Sequence, residues 1–207
     1  MFEEVRVISC GRLAESLRLR RDDKLTRILA AGARVFAEEG FEGASIRKVA
    51  TALGGSVSSL YYYFDGKEDL LFHIQYHTFL TLLDNLKAQL ASTASAEEKI
   101  RMVVRNHLSH FLSNMPELKV CSHELGTLRG DRYRKVEDLR RGYFKQVLEV
   151  VRALKPFRPG LDPGMATLSL FGMLNWVYTW YDPARDEGER RLANQITNLF
   201  LNGVRGD

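Results

Sequence analysis

The sequence predicts an all-α protein, and three observations support this fold class. Apolar residues recur at helical spacing along most of the chain, whereas strand-like alternation and internal repeats do not stand out. Glycine and proline residues separate the periodic segments. Of the 207 residues, 45% are hydrophobic, which is enough to bury a substantial core.

The first amphipathic helix is predicted from Asp22 to Gly40. Its apolar residues follow the i, i+3, i+4, i+7 rhythm and are Leu25, Ile28, Leu29, Gly32, Val35 and Phe36. We expect this helix to pack over the two short helices that follow it, with Phe41 anchoring the connection.

Residues 45–53 predict a short helix with one apolar face. This face is formed by Ile46, Val49, Ala50 and Leu53. Ser45 stands at the N-cap position, where its hydroxyl can accept a hydrogen bond from a free backbone N–H. Gly54 and Gly55 end the helix, because glycine adopts the left-handed conformation that stops a helix.

A second short helix follows the glycine pair, with Ser56 as its N-cap. Leu60 and Phe64, four residues apart, are expected to face the core. The opposite face carries Val57, Ser58, Tyr61 and Tyr62. Two short helices joined by a turn of this length form a helix-turn-helix, and the outward tyrosines suit a surface that a partner covers.

Three cations lie at two neighbouring helix starts, namely Arg47, Lys48 and Lys67. The positive end of the helix macrodipole makes a cation there unfavourable by about a few tenths of a kcal/mol. A phosphate bound at these helix starts would meet backbone N–H donors and a cation together. One such cation is most simply a solvated surface residue, but three beside an outward aromatic helix favour contact with a nucleic acid.

The same stretch resembles the DNA-binding domain of TetR-family transcriptional repressors. The resemblance rests on residues 45–50, Gly54, Ser56, residues 60–64 and residues 67–71, and it covers about residues 24–72 without a gap. Two positions depart from the commoner family pattern. Gly55 stands where a buried valine is usual, and Ser58 stands where glycine or another small residue is common, which leaves the DNA sequence preference open.

The resemblance implies a dimer that binds a near-palindromic DNA operator. The predicted DNA-binding residues are Ser45, Arg47, Lys48, Ser56, Val57, Ser58, Tyr61, Tyr62, Tyr63 and Lys67. Among them, Val57, Ser58 and Tyr61 are expected to contact base edges or methyl groups. Phosphate contacts are expected from Arg47, Tyr62, Tyr63 and Lys67.

Three parts of the chain are expected. Residues 1–21 form a basic N-terminal arm, residues 22–66 a helix-turn-helix DNA-binding domain, and residues 67–207 a larger ligand-binding and dimerisation domain. The arginine-rich segment 12–21 fits either a frayed, solvated terminus or an arm with an extra phosphate or minor-groove contact.

The larger domain is predicted to be helical throughout. Asp65 and Glu68 resemble a capping box at the start of a long helix that runs from about Lys67 to Gln89 and links the two domains as a lever. Further helices are predicted at about 97–113, 116–125, 132–154 and 165–181. A last helix contains Leu192, Ile196, Leu199 and Phe200.

The last two helices are predicted to form a four-helix dimer interface with their copies. Residues 165–181 carry no charge and are apolar nearly all round, so this helix must be buried. Its 17 or so residues reach the lower limit of a membrane span, but polar side chains such as Asn175 argue against hydrocarbon. A dimer also places two recognition helices in major grooves about 34 Å apart.

Residues 172–181 look like the corresponding helix in family members that answer to acyl-CoA thioesters or fatty acids. The predicted ligand-binding residues are Met102, Phe111, Tyr143, Phe144, Phe171, Asn175 and Trp176. Candidate partners for CoA phosphates are Arg129, Arg132, Arg134, Lys135, Arg140 and Arg141. Plain core packing of the aromatic residues and a solvated face of mixed charge remain open as alternatives.

An alternative hypothesis is that histidines form a sensor site for a metal ion such as zinc or nickel. The five candidates are His73, His77, His107, His110 and His123. Two pairs share a helix face by their spacing, and Cys121 and Glu124 lie near His123 in the sequence. No metal site is assigned, because spacing alone does not bring the pairs together, and no cofactor is expected.

Composition narrows the functional class. Two cysteines, Cys10 and Cys121, are too few for a disulfide framework, and no secretory signal is evident, so we expect a cytoplasmic protein. A net charge of +4 permits a polyanionic partner without requiring one. Neither a glycine-rich phosphate loop nor a nucleophile elbow stands out, which argues against an enzyme.

These observations predict a homodimeric repressor that binds an operator and is released by a small hydrophobic effector such as an acyl-CoA or a fatty acid. The alternatives are a metal-responsive repressor, an enzyme on a helical scaffold and a protein-interaction module. Turnover of an acyl thioester would favour the enzyme. Operator affinity that falls steeply with salt would exclude an interaction module that has lost DNA binding.

Overall fold

The computed structural model describes residues 2–182, 184–185 and 188–206, and for residues 2–22 it describes the backbone alone. The described residues form α-helices and two 3₁₀ turns, without a named strand, which confirms the all-α prediction. The α-helices are α1 (Phe2–Gly43), α2 (Ile46–Ala52), α3 (Val57–Tyr61), α4 (Lys67–Leu90), α5 (Ala96–Leu112), α6 (Met115–His123), α7 (Gly130–Arg152), α8 (Pro163–Asn175) and α9 (Glu189–Val204).

The chain divides into two compact units, residues 1–74 and residues 75–207. The division falls within α4, whereas the predicted domain boundary lies at the start of this helix. The side-chain contacts predicted for the basic arm, residues 1–21, lie outside the described residues.

In the first unit, α1 supplies the apolar face that the sequence predicts. Ile28 and Phe36 are each 2% exposed. A Cβ atom at Gly32 would lie 3.0 Å from Leu70 Cδ2, so this position has no room for a side chain. The helical conformation breaks at Gly40, which has a φ of 71°, where glycine is predicted to close the helix.

The two short helices have the predicted caps and turn. The Ser45 hydroxyl accepts a hydrogen bond from Lys48 N–H at 3.3 Å, and the Ser56 hydroxyl accepts one from Ser59 N–H at 3.2 Å. Gly54 has a φ of 63°, the left-handed conformation that most other residues avoid. The sequence therefore determines this turn locally.

The start of α4 differs from the predicted capping box. The carboxylate of Asp69, rather than that of Glu68, accepts the hydrogen bond from Asp65 N–H at 3.1 Å. The sequence pattern places a carboxylate three residues after an N-cap at Asp65, but α4 begins at Lys67. The extra residues of the loop bring the Asp69 side chain, one position further along, into reach.

The core of the second unit is formed by one face each of several amphipathic helices. Fully buried side chains include Val103, Val104, Leu108, Val147, Val151, Leu170 and Leu174. Helix α5 begins with a complete capping box between Ser95 and Glu98, whose two backbone hydrogen bonds fix the start of this helix. No helix in the described part of the chain is long and apolar enough to cross a membrane.

Helix α8 is shorter than predicted. It ends at Asn175 and is followed by a 3₁₀ turn at Val177–Thr179, although the prediction extends the α-helix to Tyr181. The residues after Asn175 are aromatic or β-branched, and such side chains lose rotamer freedom in an α-helix. A 2.6 Å hydrogen bond between Tyr178 Oη and His123 Nε2 also holds the turn against the end of α6.

Candidate functional site

The outer face of the helix-turn-helix carries two strongly exposed tyrosines. Tyr61 is 55% exposed and Tyr62 is 73% exposed, whereas Leu60 of the same segment is buried. Tyr63 is half-buried beside Tyr62 and has Lys24 Nζ 5.5 Å from its ring centroid. The structure therefore separates the inward and outward faces as the sequence predicts.

A cleft of about 570 Å³ opens beside this face. Its lining consists of Ala44, Ser45, Ile46, Arg47, Val57, Tyr61, Gly66 and Lys67. The cleft lies at the starts of α2, α3 and α4, because Ile46, Val57 and Lys67 are the first residues of these helices. It gathers five of the predicted DNA-binding residues.

The three predicted cations have different environments. The side chain of Arg47 is exposed and makes no hydrogen bond or ion pair among the described residues. Lys48 forms an ion pair with Glu39 and donates a hydrogen bond to the Gly43 carbonyl at 3.0 Å. In the free protein, Lys48 therefore connects α2 to the end of α1.

Lys67 is also engaged within the first unit. Its Nζ donates a hydrogen bond to the Phe41 carbonyl at 2.9 Å and lies 4.3 Å from the centroid of the Phe41 ring. The contacts of Lys48 and Lys67 in the free protein thus offset the unfavourable macrodipole interaction that their positions predict. The partners lie on the preceding helix α1, nine and five residues from Lys48 and 26 residues from Lys67, and spacing within one helix does not reveal contacts with another.

The second unit contains a cavity of about 570 Å³, which we call the central cavity. Its lining consists of Phe79, Leu82, His107, Phe111, Leu118, Cys121, Ser122, Glu137, Arg140, Arg141, Tyr143, Phe144, Leu168, Phe171, Asn175 and Trp176. Six of the seven predicted ligand-binding residues are in this set. Met102 is not, and its sulfur lies 3.9 Å from Ser92 Oγ.

His107 is the most unusual residue of the central cavity. It is 2% exposed, and neither ring nitrogen has a hydrogen-bond partner among the described residues. The pKa of His107 is lowered to about 3, chiefly by burial and to a smaller extent by nearby His110, while the polar side chain of Asn175 beside the ring opposes the shift. The imidazole is therefore neutral and polar within an apolar site.

Sequence reasoning considered His107 only as a metal ligand and missed it as a cavity residue. Its spacing from Phe111, four residues along the same helix, was the available signal. The rings of these two residues have centroids 4.7 Å apart. Whether a helix face meets a cavity depends on the neighbouring helices, which the spacing does not reveal.

Two arginines and one glutamate lie together in the wall of the central cavity. Arg140 and Arg141 both pair with Glu137, at 3.5 Å and 3.2 Å. Arg140 also lies 5.7 Å from the centroid of the Phe79 ring. Two cations share one anion here, so the cluster has an excess of positive charge that suits an anionic group.

The other candidate partners for CoA phosphates do not line the central cavity. Arg129 donates hydrogen bonds to the backbone carbonyls of Gly126 and Leu128, and Arg134 pairs with Asp131. Arg132 and Lys135 are also absent from the lining. The predicted basic cluster is thus divided between the cavity wall and the surface of α7.

Two further polar residues of the cavity are buried and uncharged. Burial raises the pKa of the Cys121 thiol and, likewise, that of the Tyr143 hydroxyl. The Asn106 amide donates to Tyr143 Oη at 3.5 Å. Both groups therefore stay protonated, and Cys121 lacks the thiolate that reactive cysteines need.

The five histidines are dispersed in the structure. Among the described residues, no group of three or more histidine, cysteine or acidic side chains is arranged to hold a metal ion. His73 lies 3.9 Å from Asp69, and His110 lies 3.6 Å from Glu117. The spacing on each helix is as predicted, but the pairs do not converge among the residues described.

An exposed apolar face runs along α8, the 3₁₀ turn and α9. Its residues are Met165, Leu168, Trp176, Trp180 and Leu199, each more than half exposed in the single chain. Burial of residues 165–181 is predicted for the dimer, and in the single chain these side chains lie open, so that burial stays a prediction. Exposed apolar side chains of this size are typical of a surface that a protein partner covers, and two of them, Leu168 and Trp176, also line the central cavity.

Two family models match the chain. Residues 28–74 match the model described as bacterial regulatory proteins of the tetR family. Residues 93–204, more than half of the chain, match the model described as the tetracyclin repressor-like C-terminal domain. The chain belongs to the TetR family of transcriptional regulators. As a member of this family it is a ligand-responsive repressor that binds double-stranded operator DNA as a homodimer.

Several TetR-family relatives are similar over most of their length. The fatty acid metabolism regulator protein of Bacillus subtilis (strain 168) is 24% identical over 87% of this chain and 95% of its own. The fatty acid degradation regulator FadR of Bacillus halodurans is 26% identical, with a TM-score of 0.68 over 87% of this chain and 99% of its own.

The ketosteroid regulator KstR2 of Mycobacterium tuberculosis shares the fold, with a TM-score of 0.80, 20% identity and coverage of 89% of this chain and 96% of its own. The similar proteins are thus transcriptional regulators.

Proposed function

We propose that this repressor blocks a promoter when it is free and releases it when a fatty acyl-CoA or a fatty acid fills the central cavity. The observation that carries the proposal is the cavity itself, which combines aromatic walls with an arginine pair. Two similar proteins are named as regulators of fatty acid metabolism or degradation, which supports the same effector class. We further propose that the protein works in the cytoplasm and has no catalytic role.

Effector binding is proposed to act through α4. Phe79 and Leu82 of this helix line the central cavity, and the same helix begins at Lys67, a predicted DNA contact. A ligand that displaces the cavity end of α4 would therefore change the position of its DNA end. Ligand and operator would then favour different states of the dimer and oppose each other's binding.

The dimer is proposed to form through α8 and α9. The exposed apolar face of these helices has no cover within the described chain, and a second copy would bury it. Such a dimer presents two recognition helices, which need a spacing of about 34 Å to enter successive major grooves on one side of DNA.

On α3, the recognition helix of each protomer, Val57, Ser58 and Tyr61 are proposed to contact base edges. Arg47 on α2, and Tyr62 and Tyr63 after the end of α3, are proposed to contact phosphates. Arg47 is the strongest phosphate candidate, because its charge is exposed and unpaired among the described residues. Lys48 and Lys67 are proposed to act mainly by holding helix starts, since both have partners on α1. The hydroxyls of Ser45 and Ser56 already accept capping hydrogen bonds, so only their remaining hydrogen-bonding sites are available to DNA.

The test combines operator selection with effector titration. An operator is first selected from random DNA with the purified full-length protein, and its affinity is measured by fluorescence anisotropy. Palmitoyl-CoA is then added, with free CoA and palmitate as separate arms. Release by palmitoyl-CoA or palmitate but not by CoA supports the proposal, whereas unchanged DNA binding with all three refutes the effector class.

Salt dependence tests the DNA-binding part separately. A dimer that makes six or more phosphate contacts should lose roughly 1,000-fold in affinity between 50 and 200 mM salt. Binding that is insensitive to salt would contradict the proposed phosphate contacts.

A further inference from the structure

We propose that His107 is a specificity-determining residue that donates a hydrogen bond to an uncharged oxygen of the effector, so that the central cavity selects an acyl thioester over a free carboxylate. The inference rests on the proposed function in placing the effector in this cavity. It adds that the uncharged carbonyl of the effector is recognised and that His107 is the residue that binds it.

Geometry makes His107 the polar centre of an aromatic site. Its ring centroid lies 4.7 Å from that of Phe111, 6.1 Å from that of Tyr143 and 6.2 Å from that of Phe171. A buried polar group without a hydrogen-bond partner is destabilising, so such groups are normally satisfied. His107 lines the cavity with Asn175 as its polar neighbour, and neither buried ring nitrogen makes a hydrogen bond of good geometry among the described residues. A ligand oxygen that moves in beside the ring would remove this destabilisation.

The charge state of His107 restricts which ligand atom fits. The low pKa keeps the imidazole neutral, so the ring has one N–H donor and one lone pair. A carbonyl oxygen needs only such a donor. A carboxylate beside the ring would be a buried negative charge that a neutral imidazole cannot compensate, which is far more costly.

The arginine pair provides a separate place for negative charge. Side-chain exposure rises from His107, which is buried, to 39% for Arg140 and 68% for Arg141. The cations therefore lie on the solvent side of the cavity, and the neutral imidazole lies inside. A ligand with an uncharged carbonyl within an apolar body and an anionic group at one end fits this order. Acyl-CoA has both features, whereas a free fatty acid has only its carboxylate.

The test compares two ligands that differ only in the carbonyl group. Palmitoyl-CoA is a thioester, and S-hexadecyl-CoA is the matching thioether without the carbonyl oxygen. Isothermal titration calorimetry on the full-length protein should show about tenfold tighter binding of the thioester, the value expected for one buried hydrogen bond. Octanoyl-CoA and S-octyl-CoA form a second pair, which has a shorter chain and the same difference in the carbonyl group.

Variants assign the preference to His107. The variant His107→Phe keeps the ring shape and should bind the two members of a pair within about twofold of each other. The variant His107→Gln retains a neutral donor and should keep most of the preference. His77→Phe makes the same substitution outside the cavity lining and should leave the tenfold ratio unchanged.

The possible outcomes separate this inference from the proposed function. Equal binding of thioester and thioether by the unaltered protein, with operator release by both, overturns the role of His107 and leaves the effector class intact. A tenfold ratio that survives in His107→Phe also overturns it. Failure of both ligand pairs to bind overturns the acyl-CoA effector and this inference with it. Because the measured quantity is a ratio within one variant, a general loss of stability does not imitate the expected result.

Discussion

At the scale of single residues, His107 shows how burial changes the chemistry of a side chain. An exposed imidazole takes up a proton near neutral pH, but this one stays neutral until the pH approaches 3. Nearby His110 also disfavours protonation of His107. The residue is thus a hydrogen-bonding group without charge throughout the physiological range.

The buried imidazole should make the protein sensitive to acid. Between pH 6.5 and about 3 the unfolded chain binds a proton at this residue and the folded chain does not. The free energy of unfolding therefore decreases as the pH falls, by about 2 kcal/mol from pH 7 to pH 5. We expect His107→Phe to lose about 2 kcal/mol less than the unaltered protein over this interval, measured by urea denaturation at one protein concentration. Equal losses in the two proteins would show that His107 titrates while folded.

Tyr62 provides a test at the DNA-binding surface. It is the more exposed of the two outward tyrosines, so its removal should not disturb the core. We expect Tyr62→Ala to weaken operator binding about tenfold through loss of a phosphate contact, as measured by a gel-shift titration. Tyr133→Ala, an exposed tyrosine on α7, is the matched control. Unchanged affinity of Tyr62→Ala would mean that this side of the helix does not face DNA.

At the scale of helices and turns, the glycine pair between α2 and α3 has unequal roles. Gly54 has a positive φ, and Gly55 does not. A Cβ at either position would clash with nothing nearby, since the nearest atom to one at Gly55 is 3.8 Å away. The difference between the two positions is therefore a difference in backbone conformation alone.

This difference gives a matched pair of variants. Gly54→Ala forces a side chain into the left-handed region and should lower the free energy of unfolding by about 1–2 kcal/mol. Gly55→Ala should change it by less than about 0.5 kcal/mol or stabilise the protein slightly. Thermal unfolding of both variants checks the order, and equal destabilisation would contradict the assignment.

The starts and ends of the helices show which features depend on neighbouring residues alone and which do not. The caps at Ser45 and Ser56 and the turn at Gly54 are as predicted, because they depend on neighbouring residues alone. The end of α8 is six residues earlier than predicted, and there His123 of another helix bonds to the turn. The helical periodicity thus gives the wrong helix end at a place where two segments that are distant in the sequence are in contact.

At the scale of the whole molecule, the proposed dimer would bury the exposed apolar face of α8 and α9. Leu199 on α9 is 68% exposed in the single chain. We expect Leu199→Glu to shift the protein toward monomers and to weaken operator binding by at least tenfold, because a buried unpaired charge costs several kcal/mol. Sedimentation velocity measures the shift. Tyr133→Glu places the same charge on α7 as a control, and a dimeric Leu199→Glu would place the interface elsewhere.

The sequence by itself determined the features that depend on local spacing and residue type. These features are the helical class, the caps and glycine turn of the helix-turn-helix, and the outward position of Tyr61 and Tyr62. Helical periodicity shows which side chains share a face, and the family resemblance identified what that face binds. The approximate extent of most helices follows from the same signals.

Tertiary structure decided how separate helices combine. It brought Phe111, Tyr143 and Phe171 to one cavity and left Met102 outside it. It also gave Lys48 and Lys67 partners on α1 and surrounded His107 with aromatic rings. Periodicity specifies the direction of a side chain on its own helix, but the angle and offset between helices depend on packing among distant residues. Cavities and charge pairing are therefore properties of the assembled molecule.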